Sequence, residues 1–204
     1  MRKLVHLVAA TLDGFIAAPD ASDPSAPGGL LVPTPDYVAH LVATYPETLP
    51  GPARAALGVE AEGTHFDTVV EGRGSYDIGL AAGLTDAYPH LRHVVFSRTL
   101  GESPDPGVRV VAGDPVATVR ELKREEGGKD IWLVGGATLA GVLYDEIDRL
   151  VLKLNPVTAG TGIPLFGAGA AFRPAAWRLT DHTVLAGGTA FLTYDRVPGG
   201  EPSA

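Results

Sequence analysis

The chain has 204 residues, 45% hydrophobic and 20% charged, which is the make-up of an ordinary soluble globular protein, predicted as one domain with a sizeable core. Its formal net charge of -8 argues against a general nucleic-acid coat or a binder of anionic membranes, yet leaves room for a local basic pocket. The absence of cysteine excludes a disulfide framework, a thiol nucleophile and a thiolate metal site, and makes a reducing cytoplasm the expected setting. Neither a signal peptide nor a membrane span is expected, because no basic stretch leads into a long apolar run.

Lys3 to Ala10 (KLVHLVAA) is near-continuously apolar, as in a central strand covered on both faces. Thr11-Leu12-Asp13-Gly14 then turns, and Phe15 to Ala18 briefly returns to apolar character. Asp20 to Pro35, rich in Pro, Gly, Ser and Asp, is predicted as a loop, either a functional lid or a family insertion. Pro35 to Thr44 is expected as a helix capped by Thr34, with a second short helix over Pro50 to Leu57.

Asp67 to Glu71 reads as a strand ending at Gly72-Arg73-Gly74-Ser75, with a short helix from about Tyr76. Strands are expected at His93 to Ser97 and Val108 to Val111, then a helix from Asp114-Pro115 to about Glu125, stopped by Gly127-Gly128. Ile131 to Val134 is a buried strand broken by Gly135-Gly136, and Leu139, Val142, Leu143 and Ile147 follow at helical spacing. Leu150 to Leu154 forms the next strand. Trp177 to Ala186 and Thr189 to Val197 flank Gly187-Gly188, a hairpin signal, and the tail from Pro198 is expected to fray.

Strands alternating with helices, closed by a hairpin, predict an α/β sheet that is parallel except at one end. Ligands of such sheets sit outside the carboxyl ends of the strands. The turns after Ala10, Glu71, Ser97 and Val134 all fall on that edge. Gly135-Gly136-Ala137-Thr138 joins a strand to a helix and predicts a phosphate cradle outside the G-x-G-x-x-G pattern; a plain tight turn is the other reading. Arg73 with Ser75, and Ser97 with Arg98, each place a guanidinium and a hydroxyl just after a strand, suited to phosphate oxygens. Two solvated loop arginines would look the same.

Ala9 to Ala17, Gly72-Arg73-Gly74-Ser75-Tyr76, Ser97-Arg98 and Val134-Gly135-Gly136 recur in the order seen in dihydrofolate reductase. Leu12-Asp13-Gly14, Asn155-Pro156 and Gly160-Thr161-Gly162-Ile163-Pro164-Leu165-Phe166 are closer to the reductase domain of bacterial riboflavin biosynthesis and its uncharacterised relatives. The resemblance covers about residues 2 to 196, and its motifs are specific in combination. It implies a three-layer dihydrofolate-reductase-like domain over 1–197, with an insertion at about 20–62 and a flexible tail at 198–204.

It also implies an NADPH-dependent reductase and a homodimer. Ala9 and Ile16 would flank the nicotinamide, Arg73 and Ser75 would hold phosphates, and Ser97 and Arg98 would surround the adenosine 2′-phosphate. Gly135, Gly136, Ala137, Thr138 and Leu139 would cradle the pyrophosphate, with a cis peptide between the two glycines. One departure is Gly74, where relatives often carry a larger, frequently basic residue. The apolar hairpin side chains Leu185, Phe191 and Leu192 need cover and add support for a dimer.

Hydride delivery to C=N or C=O needs a proton for the other atom. Asp36 is the nearest counterpart of the carboxylate that dihydrofolate reductase carries on its first helix, although it could equally serve the helix N-terminus. Asp13 is a weaker candidate, since Asp-Gly is a turn pair first. Lys153 interrupts an apolar strand, so it must snorkel, pair with a carboxylate or face a polar cavity. The resemblance implies a position toward the substrate pocket, to bind an anionic substrate group or give a proton, and a surface lysine of an edge strand is the other reading. His6 is expected as a satisfied core histidine, and the remaining histidines lack metal-ligand spacing, so no metal is expected. Three functions stay open: a small-molecule NADPH reductase, a pathway reductase for dihydrofolate or the riboflavin-precursor ribosylaminopyrimidine, and a nucleotide-binding protein without turnover.

Overall fold

The computed structural model describes residues 1–167 and 172–199. Among them ten strands and five helices alternate: β1 (Leu4–Ala10), β2 (Phe15–Ala17), α1 (Pro35–Thr44), α2 (Gly51–Leu57), β3 (Phe66–Gly72), α3 (Arg73–Ala81), β4 (Arg92–Phe96), β5 (Val108–Val111) and α4 (Pro115–Arg124) come first. They are followed by β6 (Asp130–Leu133), α5 (Ala137–Val142), β7 (Arg149–Leu154), β8 (Ile163–Pro164), β9 (Trp177–Val184) and β10 (Ala190–Arg196). Eight strands form one sheet in the order β5-β4-β3-β6-β1-β7-β10-β9. Every pair from β5 to β7 is parallel, while β10 runs antiparallel to both β7 and β9. This is the expected sheet, parallel but for its terminal hairpin.

Successive strand residues face opposite sides, so the continuous apolar runs build two cores. Leu4, Val70, Val94, Ile131, Leu133 and Leu150 meet Val119 and Leu122 of α4 and Leu139, Ala140 and Leu143 near α5. Val5, Leu7, Val69, Trp132, Val151 and Phe191 meet Tyr37 and Leu41 of α1 on the other face. Fully burying each such side chain is worth roughly 1.5–3 kcal/mol. Phe191, expected to need a partner subunit, is already covered within the chain by Tyr37 and His40, with ring centroids at 5.6 and 4.3 Å. Leu185 likewise packs against this core.

Three local expectations differ from the structure. α3 begins at Arg73 rather than about Tyr76, since Gly72 already has the extended cap geometry and Arg73-Gly74-Ser75 make the first turn. α5 ends at Val142 and gives way to a 3₁₀ turn at Tyr144–Glu146, so the helical spacing that ran on to Ile147 marks burial more than one continuous helix. The cis peptide expected between Gly135 and Gly136 is absent, as are cis bonds elsewhere among the described residues. Two consecutive left-handed glycines, with φ of 53° and 64°, bend the chain instead. Apart from Pro198 and Gly199, the tail expected to fray lies outside the described residues.

A two-stranded sheet, β2 with β8, sits beyond the end of β1, pairing Phe15 with Pro164 and Ala17 with Ile163. It lies at the sheet edge where the four sequence-predicted turns converge.

Candidate functional site

A cavity of about 600 Å³ opens at the carboxyl ends of the parallel strands. Ile16 lines it after β1, Arg73 and Ser75 after β3, Ser97 and Arg98 after β4, and Gly136, Ala137, Thr138 and Leu139 after β6. Nine of the eleven residues singled out for a cofactor thus share one wall. Gly135 stands immediately behind it, where an added Cβ would lie 2.8 Å from the Ser75 hydroxyl oxygen. Ala9 is not part of the wall; it pairs in register with Lys153 between β1 and β7.

Strand order sets how chemistry is laid out along the cavity. The turn after β4 and the turn after β1 are three strand spacings apart, about 14 Å at ~4.8 Å each. Arginine and hydroxyl groups occupy the β4 and β3 end, whereas Ile16, Ala17 and Ile163 make the β1 end apolar. Among the described residues no carboxylate lines the wall. The arrangement suits an extended ligand, anionic at one end and planar and apolar at the other.

The two arginines are not equivalent. Arg73 Nε donates to Asp77 Oδ1 at 2.5 Å, one helical turn on, so part of its charge is already answered. Arg98 is exposed, and no ion pair engages it among the described residues. The Ser97 hydroxyl oxygen accepts from the backbone N–H of Leu100 at 3.0 Å and of Thr99 at 3.3 Å, which shapes the turn carrying Arg98. At the glycine turn the first N–H groups of α5 have no intrahelical partner, and the helix opens with Ala140 N donating to Gly136 O at 2.9 Å. A side chain at either glycine would strain its left-handed backbone.

Behind the α3 turn lies a buried ionic trio. His93 on β4 is gripped by Glu71 through Nε2 at 2.7 Å and by Asp86 through Nδ1 at 2.8 Å. Burial alone would lower the imidazole pKa, but the two carboxylates outweigh it and raise it. Burial pushes the Glu71 carboxyl up against the pull of His93. The trio ties β3, β4 and the segment after α3 together, fixing where Arg73 and Ser75 start. Single-sequence reading missed it, because three residues spread over 71–93 meet only through parallel pairing.

Asp36 and Lys153, singled out for chemistry, do not line the cavity. The Asp36 carboxylate accepts from the Thr34 hydroxyl at 2.5 Å, the Tyr37 N–H at 3.0 Å and the Gly187 N–H at 2.7 Å. It ties the start of α1 to the β9–β10 turn, and the Thr34 hydroxyl with the Gly187 N–H holds it below the usual carboxylate range. Lys153 places its ammonium 5.6 Å from the Tyr37 ring centroid, a cation–π contact, with no carboxylate paired to it among the described residues. His6 is fully buried; Nδ1 lies 3.2 Å from Leu133 O, while Nε2 has no partner among the described residues. Burial drives its pKa down to about 4, so it is neutral at pH 7. Its orphaned nitrogen departs from the expected satisfied core histidine.

Ala21 and Ile163 also line the cavity; Ala21 was not apparent from sequence, and Ile163 stood there only as part of the 160–166 motif. Ala21 adopts φ 59°, the one non-glycine residue with positive φ among those described. No cluster of three or more histidine, aspartate or glutamate side chains able to hold a metal occurs among the described residues. No described helix is long and apolar enough to cross a membrane.

The sheet order and the edge cavity define a dihydrofolate-reductase-like domain. A dihydrofolate reductase of Enterococcus faecalis solved with NADP(H) matches with a TM-score of 0.59 at 16% identity, covering 95% of this chain and 96% of that one. A putative riboflavin biosynthesis protein of Shewanella sp. PV-4 matches with a TM-score of 0.68 at 24% identity, covering 97% and 99%. The diaminohydroxyphosphoribosylaminopyrimidine deaminase/5-amino-6-(5-phosphoribosylamino)uracil reductase of Thermotoga maritima matches at 0.61 and 14%, covering 96% of this chain and 57% of that one. At these identities the likeness carries the fold.

The family is more specific. The RibD C-terminal domain model matches residues 2–191, so the chain belongs to that family, and membership supports a reductase role. Two uncharacterised Bacillus subtilis proteins are similar: YwjB, 34% identical over 104 residues, and YyaP, 31% identical over 114. These matches span 49% and 50% of this chain and only 58% and 60% of the relatives' own lengths.

Proposed function

We propose that the protein is an NADPH-dependent reductase that delivers hydride to a small heterocyclic or carbonyl substrate. The observation that carries this reading is the one cavity wall running from Arg98 past the two left-handed glycines to the apolar Ile16. When bound, NADPH supplies the hydride. Arg98 and Ser97 hold the 2′-phosphate, Arg73 and Ser75 add phosphate donors, and the N–H groups from Gly135 to Leu139 face the pyrophosphate. Ile16, with Ala17 and Ile163, would give the reactive ring an apolar surface that keeps water out.

Lys153 does not line this cavity; we assign it to the substrate because its ammonium lies over Tyr37 with no carboxylate paired to it among the described residues, on the strand beside β1. Its ammonium binds an anionic substituent or gives the proton that balances hydride addition. Asp36 is assigned no proton transfer, because a carboxyl held ionised by its hydrogen bonds is a poor acid at neutral pH. A cytoplasmic setting and a homodimer belong to the same reading. The dimer draws on the edge strand β9, where Leu179 and Val184 are 47% and 66% exposed. Sedimentation showing only monomer at high concentration removes it.

Titrating NADPH and NADH while following nicotinamide fluorescence tests the cofactor. NADPH is expected to bind below millimolar; failure of both to do so ends the reductase reading. Arg98→Ala should weaken NADPH about 10-fold or more, the value of a lost hydrogen bond to a charged group, and leave NADH nearly unchanged. Equal losses would overturn the 2′-phosphate assignment.

A further inference from the structure

Asp13 is exposed on the turn after β1, yet its carboxylate is among the most heavily engaged in the molecule. Oδ1 and Oδ2 each accept from Ala159 N–H at 3.1 Å, and Oδ2 accepts from Gly160 N–H at 2.7 Å. The Thr11 hydroxyl donates to Oδ1 at 2.6 Å. Gly160 is left-handed, with φ 70°. Consecutive N–H groups around a left-handed residue form a concavity that grips anions, and here the anion is the chain's own carboxylate.

The grip bridges two segments far apart in sequence, the turn after β1 and the turn after β7. Backbone bonds run alongside it: Leu12 N–H donates to Val157 O at 2.8 Å, and Leu165 N–H donates to Gly14 O at 3.0 Å. The β2–β8 pairing follows directly. At Gly162 an added Cβ would lie 2.5 Å from Ala17 O, so the later segment presses backbone to backbone on β2. With no side chain between the two backbones, a shift of the 157–162 turn is passed straight to Ile16, Ala17 and Ile163.

We propose that Asp13 is a positioning residue: through its bonds to Ala159 and Gly160 it sets the apolar wall that receives the nicotinamide ring, while the 2′-phosphate end of the cavity is set elsewhere. This rests on the dinucleotide reading of the cavity. The 2′-phosphate end is built on the turns after β3 and β4 and the Glu71–His93–Asp86 trio. The glycine cradle between that end and the apolar wall is instead joined to the later segment, with Ala137 packed against Ile16 and Gly167 N–H donating to Ala137 O at 2.9 Å. Loss of the Asp13 carboxylate therefore disturbs one end of an extended ligand and spares the other.

The test compares NADPH with 2′,5′-ADP, which keeps the adenosine, its 2′-phosphate and the adenosine-side phosphate of the pyrophosphate, and lacks the nicotinamide half. Asp13→Ala is expected to raise the Kd for NADPH about 10-fold and to change that for 2′,5′-ADP less than about 2-fold, in a variant that still melts cooperatively as a folded protein. Asp13→Asn, which keeps the shape without the charge, should fall between. Parallel losses for both ligands would make Asp13 a general structural residue and overturn the proposal. So would unchanged NADPH binding in Asp13→Ala. Failure of the unmodified protein to bind either ligand would instead strike the cofactor reading on which the proposal stands.

Discussion

The two edges of the sheet use the same residue types in opposite ways. At the amino ends of the strands, arginines and lysines are paired off: Arg2 with Asp67 and Glu125, Arg92 with Glu125, Lys123 with Asp148, and Arg149 with Asp195. Arg2 is nearly buried, with a side-chain exposure of 6%. At the carboxyl ends, Arg73 shares its charge with one exposed aspartate and Arg98 with no described carboxylate. One edge uses its charges to hold strands and helices in place, and the other keeps a charge free for a ligand. Arg124 and Lys129 of the paired edge also have no carboxylate partner among the described residues, so what distinguishes Arg98 is an unpaired charge on the cavity wall.

The largest expected effect breaks the paired edge. Arg2→Ala takes the nearly buried guanidinium from Asp67, which keeps only the Lys129 N–H and the Thr68 hydroxyl, while Glu125 keeps Arg92; it should lower the unfolding free energy by about 3 kcal/mol in urea denaturation, with NADPH affinity intact. Arg98→Ala should do the reverse, leaving stability within about 0.5 kcal/mol while cofactor affinity falls. If both variants lose both properties, the edges are not separate in function.

Acid probes the contrast next. His6 carries a pKa of about 4 in the fold against 6.5 for the ordinary group, so its contribution is full above pH 6.5 and is lost as pH falls toward 4, on the order of 3 kcal/mol. Glu125 and Asp195 at the paired edge are held below their ordinary values, by Arg92 and Arg149 respectively, and their contributions vanish only at lower pH. His93 has the opposite sign. Its raised pKa makes its contribution full below 6.5 and lost as pH climbs through the folded value. Melting temperatures should therefore decline on both sides of about pH 6.5. Replacing His6 with Phe should flatten the acid limb alone.

Smaller effects belong to the open edge. Gly135→Ala should cost about 2 kcal/mol, since its φ of 53° is costly for any side chain and the new methyl meets the Ser75 hydroxyl. Gly136→Ala, with ordinary contacts, should cost about 1 kcal/mol. Smallest of all, Gly74→Ala in the first turn of α3 meets open space and should stabilise by about 0.5 kcal/mol, measurable in the same denaturation series.

What could be read from sequence was whatever short-range chemistry dictates. The apolar run from Ile131 to Leu133, the glycine break after Val134, and Asp114-Pro115 opening α4 are local facts, and the strands and turns followed from them. Nine cofactor candidates converged because parallel strands carry their following turns to one edge whatever lies between. What escaped was set by partners distant in sequence. The β2–β8 pairing joins three residues to two, with too little periodicity to register. The cover over Phe191 comes from Tyr37 and His40 of α1, at the opposite end of the chain. The resemblance led to a cis peptide where two left-handed glycines make the bend, a choice that composition alone leaves open.

The long connection between β2 and α1 is pinned at both ends. Ala17 is fixed by its pairing with Ile163, and Asp36 is bound to Gly187. Between these anchors the chain runs mostly through turns closed on themselves, such as Gly29 N–H donating to Ala26 O and Leu31 N–H donating to Pro24 O, both at 2.7 Å. Lengthening such a tethered loop costs only about 0.6 kcal/mol per doubling. The stretch from Asp23 to Gly29, short of the buried Leu31, is therefore where this scaffold can gain or shed residues in evolution, or accept a grafted peptide in the laboratory, without moving its cavity.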